Sequence, residues 1–414
     1  MDIYNSINGQ DKQFKLPYSL TTKLKSELAM KLAKSLQEIQ PSYIREILSA
    51  ASAPGVISLA GGLPDAATFP LALMTKSITD LPNREQLFQY GNTAGYAPLL
   101  SYLKKRYQLA SSHDGLVCTG SQQGLDLIAR SFINPGDNIV MEAPSYLGAI
   151  QVFGLAQANI ESISQRKDGP DLAELKACFS AKNITLFYAV PDFHNPTGVC
   201  WSLSVRKKVA QLCQQYNVAF VEDVPYRELR FNGDPLPLVS SFCPDNSLVL
   251  RSYSKIATPG IRLGLVTGRA DWLAALNKVK QAADLHSSVP MQAVLLDLLQ
   301  HDSFAEHLIK LRSLYNERYQ AMRKNIALKL PDNCYASTVD GGMFIWLTLP
   351  KCDVDALAKS ALEQGVAVVP SSVFYQERSN VISALRLNFT HATQDEISDA
   401  ITRLAGVIEQ YCSS

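Results

Sequence analysis

Apolar and polar positions alternate along this chain with two distinct periods. From Thr21, Leu24, Leu28, Leu32, Leu36 and Ile39 recur three and four apart among Lys, Glu and Gln, which predicts an amphipathic helix. Residues 1–20 before it are polar, contain Pro17 and read as a loose arm. A second short helix is expected over 42–51, opened by Pro41-Ser42, with Ser42 and Arg45 on one face. From Leu116 onward, short apolar runs alternate with helical stretches. Strands are expected over 116–119, 138–142, 160–164, 185–190, 219–222, 248–250 and 263–267, and helices over 123–133, 172–181 and 203–216. That succession implies an α/β fold with a largely parallel sheet covered by helices. Beyond residue 270 the pattern shifts to long helices over 270–284, 290–300, 303–327 and 394–411. Short strands stand among them at 342–347, 367–369 and 384–389, as in a smaller α+β domain.

In such sheets ligands collect at the carboxyl ends of the strands. The segment Val249–Gly264 runs from an apolar strand into Ser252-Tyr253-Ser254-Lys255 and then Pro259-Gly260 before Arg262. Two hydroxyls and a guanidinium beside a lysine are donors suited to a phosphate, and the combination points to Schiff-base chemistry with pyridoxal phosphate. Alone, the serines and lysine would far more often make a solvated turn.

That cofactor makes further demands. Its pyridine nitrogen needs a shielded carboxylate, and Asp223 follows the apolar Ala219-Phe220-Val221; by itself it is equally a solvated strand-end acid. The ring's phenolate oxygen needs donors, which Tyr226 and Asn195 could supply, although Asn195-Pro196-Thr197-Gly198 is also simply a turn signal. Tyr146 is suited to stacking on the ring, and Gly120-Ser121-Gln122 offers backbone amides at a helix start. Gly61-Gly62 makes a tight turn where backbone can approach a ligand, or an ordinary loop.

Composition narrows the field. The 414 residues carry a net charge of +1, from 39 basic and 38 acidic side chains, which gives no electrostatic case for nucleic acid or an anionic membrane. No apolar run reaches transmembrane length. The eight cysteines are scattered without C-x-x-C pairs, no histidine cluster suggests a metal, and no signal segment is evident, so a reducing cytoplasm is expected.

The sequence resembles the class I/II aminotransferases of fold type I, in the branch of 2-aminoadipate, kynurenine and related broad-range aminotransferases. The resemblance is carried by Ile44–Leu48, Ala60–Pro64, Gln89-Tyr90-Gly91, Gly120–Leu125, Pro191–Gly198, Glu222–Tyr226, Ser252–Lys255 with Arg262, Gly341–Phe344 and Leu385–Phe389, in family order over about 42–410. It implies a mostly parallel, seven-stranded large-domain sheet with helices on both faces, over 61–285. A small α+β domain would combine 41–60 with 286–414, and 1–40 would be an arm with its amphipathic helix.

It further implies that Lys255 carries the cofactor and shuttles a proton, with Asp223 at the ring nitrogen and Asn195 and Tyr226 at the phenolate oxygen. Ser121, Gln122, Ser252, Ser254 and Arg262 would hold the phosphate, joined by Tyr90 from a partner subunit, and Tyr146 would stack on the ring. Arg386 would clamp the substrate carboxylate beside Asn195 and Gly62. The working unit would then be a homodimer that moves an amino group from an amino acid to a 2-oxo acid, expected to be 2-oxoglutarate. The helix holding Ser42 and Arg45 would lie by the side-chain pocket, where Arg45 either binds a distal carboxylate or pairs with an acid such as Glu46.

Two positions depart from the family pattern: Arg251 stands where glycine is usual and Ile256 where threonine is. Three rival readings share the chain. A β-lyase or cyclic amino acid synthase would use the same cofactor residues. A ligand-sensing module would keep the fold without turnover, and an interaction protein would act through the 21–39 helix.

Overall fold

The computed structural model describes residues 33–36, 47, 53–377 and 381–412. Of the helix expected over 21–39 only a 3-10 turn, Lys34–Leu36, lies among them, and of the helix over 42–51 only Ile47, which is helical. Contacts divide the chain into two compact units, 1–39 and 40–414; the three sheets among the described residues belong to the second.

A two-residue strand, β1 (Ile57–Ser58), precedes helices α1 (Leu71–Asp80) and α2 (Ala97–Arg106). The main sheet and its covering helices then follow as β2 (His113–Cys118), α3 (Ser121–Phe132), β3 (Asn138–Ala143), α4 (Leu147–Leu155), β4 (Asn159–Arg166), β5 (Gly169–Pro170), α5 (Leu172–Ala181), β6 (Ile184–Ala189), α6 (Leu203–Tyr216), β7 (Ala219–Asp223), β8 (Ser247–Ser252) and β9 (Gly264–Arg269). Their order across the sheet is β2-β9-β8-β7-β6-β3-β4-β5. Neighbours from β8 to β4 pair in parallel, whereas β9 is antiparallel to both β8 and β2. The chain therefore turns back at the lysine loop between β8 and β9.

The expected seven strands are all present, and β5 is an eighth that the sequence does not announce. It pairs antiparallel with the end of β4, Gln165 opposite Pro170 and Arg166 opposite Gly169, and a Gly-Pro pair carries no strand propensity of its own. Helices α1 and α4 were also not expected. The α4 segment, Leu-Gly-Ala-Ile-Gln-Val-Phe-Gly-Leu, is apolar nearly all round and shows no helical period.

Strand β6 shows why the sheet is covered on both faces. Leu186, Tyr188 and Val190 belong to one core with α3, while Phe187 and Ala189 belong to another with α5 and α6.

The second sheet follows α7 (Ala270–Ala283), α8 (Val289–Gln300) and the long α9 (Phe304–Lys329). It is built of β10 (Tyr335–Ala336) and β11 (Phe344–Thr348), then, after α10 (Val354–Glu363), β13 (Val369–Pro370) and β14 (Ala384–Asn388), all antiparallel, and α11 (Gln394–Cys412) follows. The strand expected over 367–369 is divided. Val366–Ala367, β12, pairs in parallel with β1, and only past Val368 does the chain join β14. Register places Arg386 opposite both Trp346 and Val369, which delivers it to the centre of this sheet.

Candidate active site

Five strand ends of the main sheet converge on one edge. Asp223 closes β7 and Ser252 closes β8, the Pro191–Gly198 turn follows β6, Tyr146 follows β3, and Ser121 opens α3 just beyond β2. All five strands point the same way, so these residues line a single cavity of about 150 Å³. Every cofactor residue expected from the sequence is there except Tyr90.

Lys255 Nζ donates to the carbonyl oxygen of Gly62 at 2.6 Å. Burial brings its amine down to about 8, assisted by the charges of Arg386 and Arg262, so the neutral form is accessible near physiological pH. Asp223 is buried; its Oδ2 accepts a hydrogen bond from Tyr188 Oη at 2.9 Å, and its Oδ1 has no partner. Burial pushes this carboxyl up to about 7 despite the Tyr188 bond. Asn195 Nδ2 lies 3.3 Å from Tyr226 Oη, and Asn195 Oδ1 accepts from Arg386 Nη1 at 2.8 Å. Burial also raises the Tyr226 phenol, keeping it protonated as a donor.

Arg386 is buried on β14, with Nη2 donating to Ala60 O at 2.5 Å and Nε unpartnered. Phe344 and Phe374 cover its guanidinium at 4.3 and 5.1 Å. No ion pair neutralises it among the described residues, and burial lowers it to about 10. A desolvated cation without a counter-charge makes an anion site.

At the other end of the cavity, α3 is preceded by Gly120, which offers no side-chain cap and leaves first-turn amides for an anion. Arg262 lies against that turn, Nη2 donating to Thr119 O at 3.4 Å. Gly120 has φ 78°, and a Cβ there would stand 2.5 Å from Arg262 Nη2. Tyr146 is fixed over the cavity by Oη donating to Gln122 Oε1 at 3.1 Å. The Pro191–Gly198 turn is anchored from behind, where the buried Asp192 carboxylate receives Arg206 at 2.6 Å and Arg227 at 2.7 Å.

Tyr90 stays outside the cavity, 80 % exposed, with its ring edge-on to His286 at 5.8 Å. Ser42 and Arg45 lie outside the described residues. Arg251 points away from the cavity, stacked on Tyr107 at 4.1 Å and donating to Thr267 Oγ1 at 2.8 Å, and Ile256 is buried in the core. Both departures from the family pattern thus have packing roles.

Sequence reasoning missed Tyr188, Val190 and Pro225, which also line the cavity. The signal for Tyr188 was its place on the same strand face as Leu186, which reads as core. Among the described residues no group of His, Cys, Asp and Glu could hold a metal ion, and no helix is long and apolar enough to cross a membrane.

These residues fit pyridoxal phosphate. The unpartnered Asp223 Oδ1 matches a protonated ring nitrogen, the Lys255 amine is desolvated and its neutral form accessible, and the uncapped α3 terminus with Arg262 matches a phosphate.

Comparison with known proteins agrees. The family model for aminotransferase class I and II matches residues 54–404. The aromatic-amino-acid aminotransferase 1 of Thermococcus litoralis is 35% identical, over 90% of this chain and 92% of its own. The crystal structure of the kynurenine aminotransferase of Pyrococcus horikoshii superposes with a TM-score of 0.88 at 33% identity, covering 94% of this chain and 99% of its own. That of the alpha-aminoadipate aminotransferase of Thermus thermophilus, complexed with N-(5'-phosphopyridoxyl)-L-leucine, gives 0.86 at 32% identity, covering 92% and 97%. The chain belongs to the class I and II aminotransferases, pyridoxal-phosphate enzymes of fold type I that transfer amino groups.

Proposed function

We propose that the enzyme takes the amino group of 2-aminoadipate or of aromatic, branched or other aliphatic L-amino acids and passes it to a 2-oxo acid, 2-oxoglutarate. The observation that carries this reading is Arg386, a buried guanidinium with no ion pair among the described residues, bonded to the cavity residue Asn195 and near enough for its charge to act on the Lys255 amine. It would receive the substrate α-carboxylate in a bidentate pair, with Asn195 and Gly62 alongside. Binding rather than expelling the carboxylate favours amino transfer over decarboxylation.

When bound, pyridoxal phosphate supplies an electron-withdrawing ring that stabilises charge developed at the substrate α carbon. In this reading Asp223 Oδ1 would hold the ring nitrogen protonated, and Asn195 and Tyr226 would donate to the phenolate oxygen. Tyr146 would stack on the ring. Ser121, Gln122, Ser252, Ser254, Arg262 and the first-turn amides of α3 would hold the phosphate. Lys255, whose neutral amine is accessible near physiological pH, would take the substrate α proton on Nζ as a general base and later give it up.

The exposed Tyr90 fits a role in a partner's phosphate site, so the working unit is proposed as a homodimer, in the cytoplasm. The pairing of β1 with β12 supports grouping 41–60 with 286–414 in a small domain beside a large one over 61–285. Arg45 is retained as the partner of a distal carboxylate.

The test is to incubate the holoenzyme with 2-aminoadipate, phenylalanine, kynurenine or leucine plus 2-oxoglutarate and to measure glutamate. Glutamate formed from several donors is expected. Ammonia and pyruvate-type products, or no turnover with any donor, would overturn the reading.

A further inference from the structure

Tyr188 sits on β6 opposite Val221 of β7, so Asp223 is the diagonal neighbour two residues further along the adjacent strand. Both side chains are buried and both line the cavity. The Tyr188 hydroxyl donates to Asp223 Oδ2 at 2.9 Å, and this is the one hydrogen bond that the carboxylate side chain makes among the described residues. The other oxygen, Oδ1, is fully enclosed and has no partner.

A carboxylate tied at one oxygen by a fixed phenol has its plane set, and its second oxygen is presented in one direction. The phenol itself cannot swing away, because its ring is packed edge-on against Phe153 at 5.8 Å on an interior strand. Burial also raises the Tyr188 phenol well above its usual range, so it stays protonated and serves as a donor.

We propose that Tyr188 is a positioning residue for Asp223: its hydroxyl aims Oδ1 at the cofactor's ring nitrogen and keeps the proton they share on the nitrogen. This rests on the aminotransferase site proposed above. The physical reason is that a hydrogen bond donated to a carboxylate stabilises its ionised form and makes it a weaker base. Without that bond a buried carboxylate competes for the shared proton, and the ring withdraws electrons less well. The bland alternative is a core tyrosine whose hydroxyl merely finds the nearest acceptor.

Tyr188→Phe removes only Oη and keeps the ring in its packing. The experiment compares four proteins, wild type, Y188F, D223N and Y188F/D223N. Two quantities are read: the dissociation constant of pyridoxal phosphate from the apoprotein, followed by fluorescence, and kcat and KM of the holoenzyme. Expected for Y188F are cofactor binding weakened about tenfold and kcat lowered about tenfold to a hundredfold with KM for the amino acid unchanged, since Arg386 is untouched. In the D223N background the same change should alter neither quantity by more than about twofold. Equal losses in both backgrounds, or wild-type affinity and kcat in Y188F, would overturn the proposal. Failure of the wild-type apoprotein to bind pyridoxal phosphate would instead overturn the site on which it rests.

Discussion

Lys255 and Gly62, 193 residues apart, meet in a 2.6 Å hydrogen bond from the amine to the glycine carbonyl. The bond holds the amine at the cavity, but the surroundings favour its neutral form, bringing it from 10.5 to about 8. A lysine whose folded pKa lies below its unfolded value lowers stability, fully below about pH 8, and the penalty fades as pH rises to 10.5. Lys255→Met apoprotein is therefore expected to be more stable than wild type at pH 7. The penalty removed is up to about 3 kcal/mol, offset by about 1 kcal/mol for the lost hydrogen bond. Urea unfolding from pH 7 to 10.5 should show the difference narrowing; a constant difference would count against it. The same variant should take up no cofactor covalently, as the mass after borohydride reduction would show.

Arg386→Lys keeps the charge but loses the planar fork that reaches Asn195 and Ala60 together. The expected result is a fall in kcat/KM of roughly a hundredfold, about 3 kcal/mol, for every amino donor alike. Steady-state kinetics on two chemically different donors checks it, since a side-chain pocket residue would penalise them unequally.

A methyl group on Gly264 would stand 2.7 Å from Gly120 C and Ser121 N and 2.9 Å from Arg251 O, all backbone atoms that cannot rotate away. Gly264→Ala should cost about 1–3 kcal/mol and weaken cofactor binding by displacing the α3 terminus. Gly406, in α11 with nothing within 4 Å of its added methyl, is the control. Gly406→Ala should raise stability by about 0.5–1 kcal/mol and leave cofactor affinity unchanged. Thermal melts and cofactor titrations of both variants decide the matter.

Glu142 is buried at the end of β3, accepting from Gln165 at 3.0 Å and Trp201 at 3.2 Å, with its second oxygen 4.0 Å from His194 Nε2. Burial raises its carboxyl to about 8, and burial lowers His194 to about 3, so neither is charged at neutral pH. An acid whose folded pKa is raised loses stability as pH climbs from its unfolded value of 4.5 to about 8. Glu142→Gln keeps the acceptor for Trp201 and avoids ionisation. Its stability relative to wild type should therefore increase between pH 5 and 8 and level off above. A flat difference across that range in urea unfolding would refute this.

Much of the site was legible in the chain. Short apolar runs separated by helical stretches gave the main strands, and Lys255, Asp223, Asn195 and Tyr146 stood out because each lies at or just past a strand end, where an open sheet gathers ligands. Periodicity is local, carried by neighbours two or four residues away, so elements of ordinary pattern can be read without knowing what they touch. It failed for the nearly all-apolar α4 and for β5, whose Gly-Pro has no propensity to show.

Three relationships were decided by tertiary structure alone: Arg386 with Asn195, Lys255 with Gly62, and Tyr188 with Asp223. The first two span 191 and 193 residues and join separate parts of the chain, so no local spacing encodes them. The third depends on the β6–β7 register, in which a slip of one residue would turn Tyr188 to the other face of the sheet. Residue types determined which chemistry was possible, while strand order, register and burial decided which groups face each other and how far their proton affinities move.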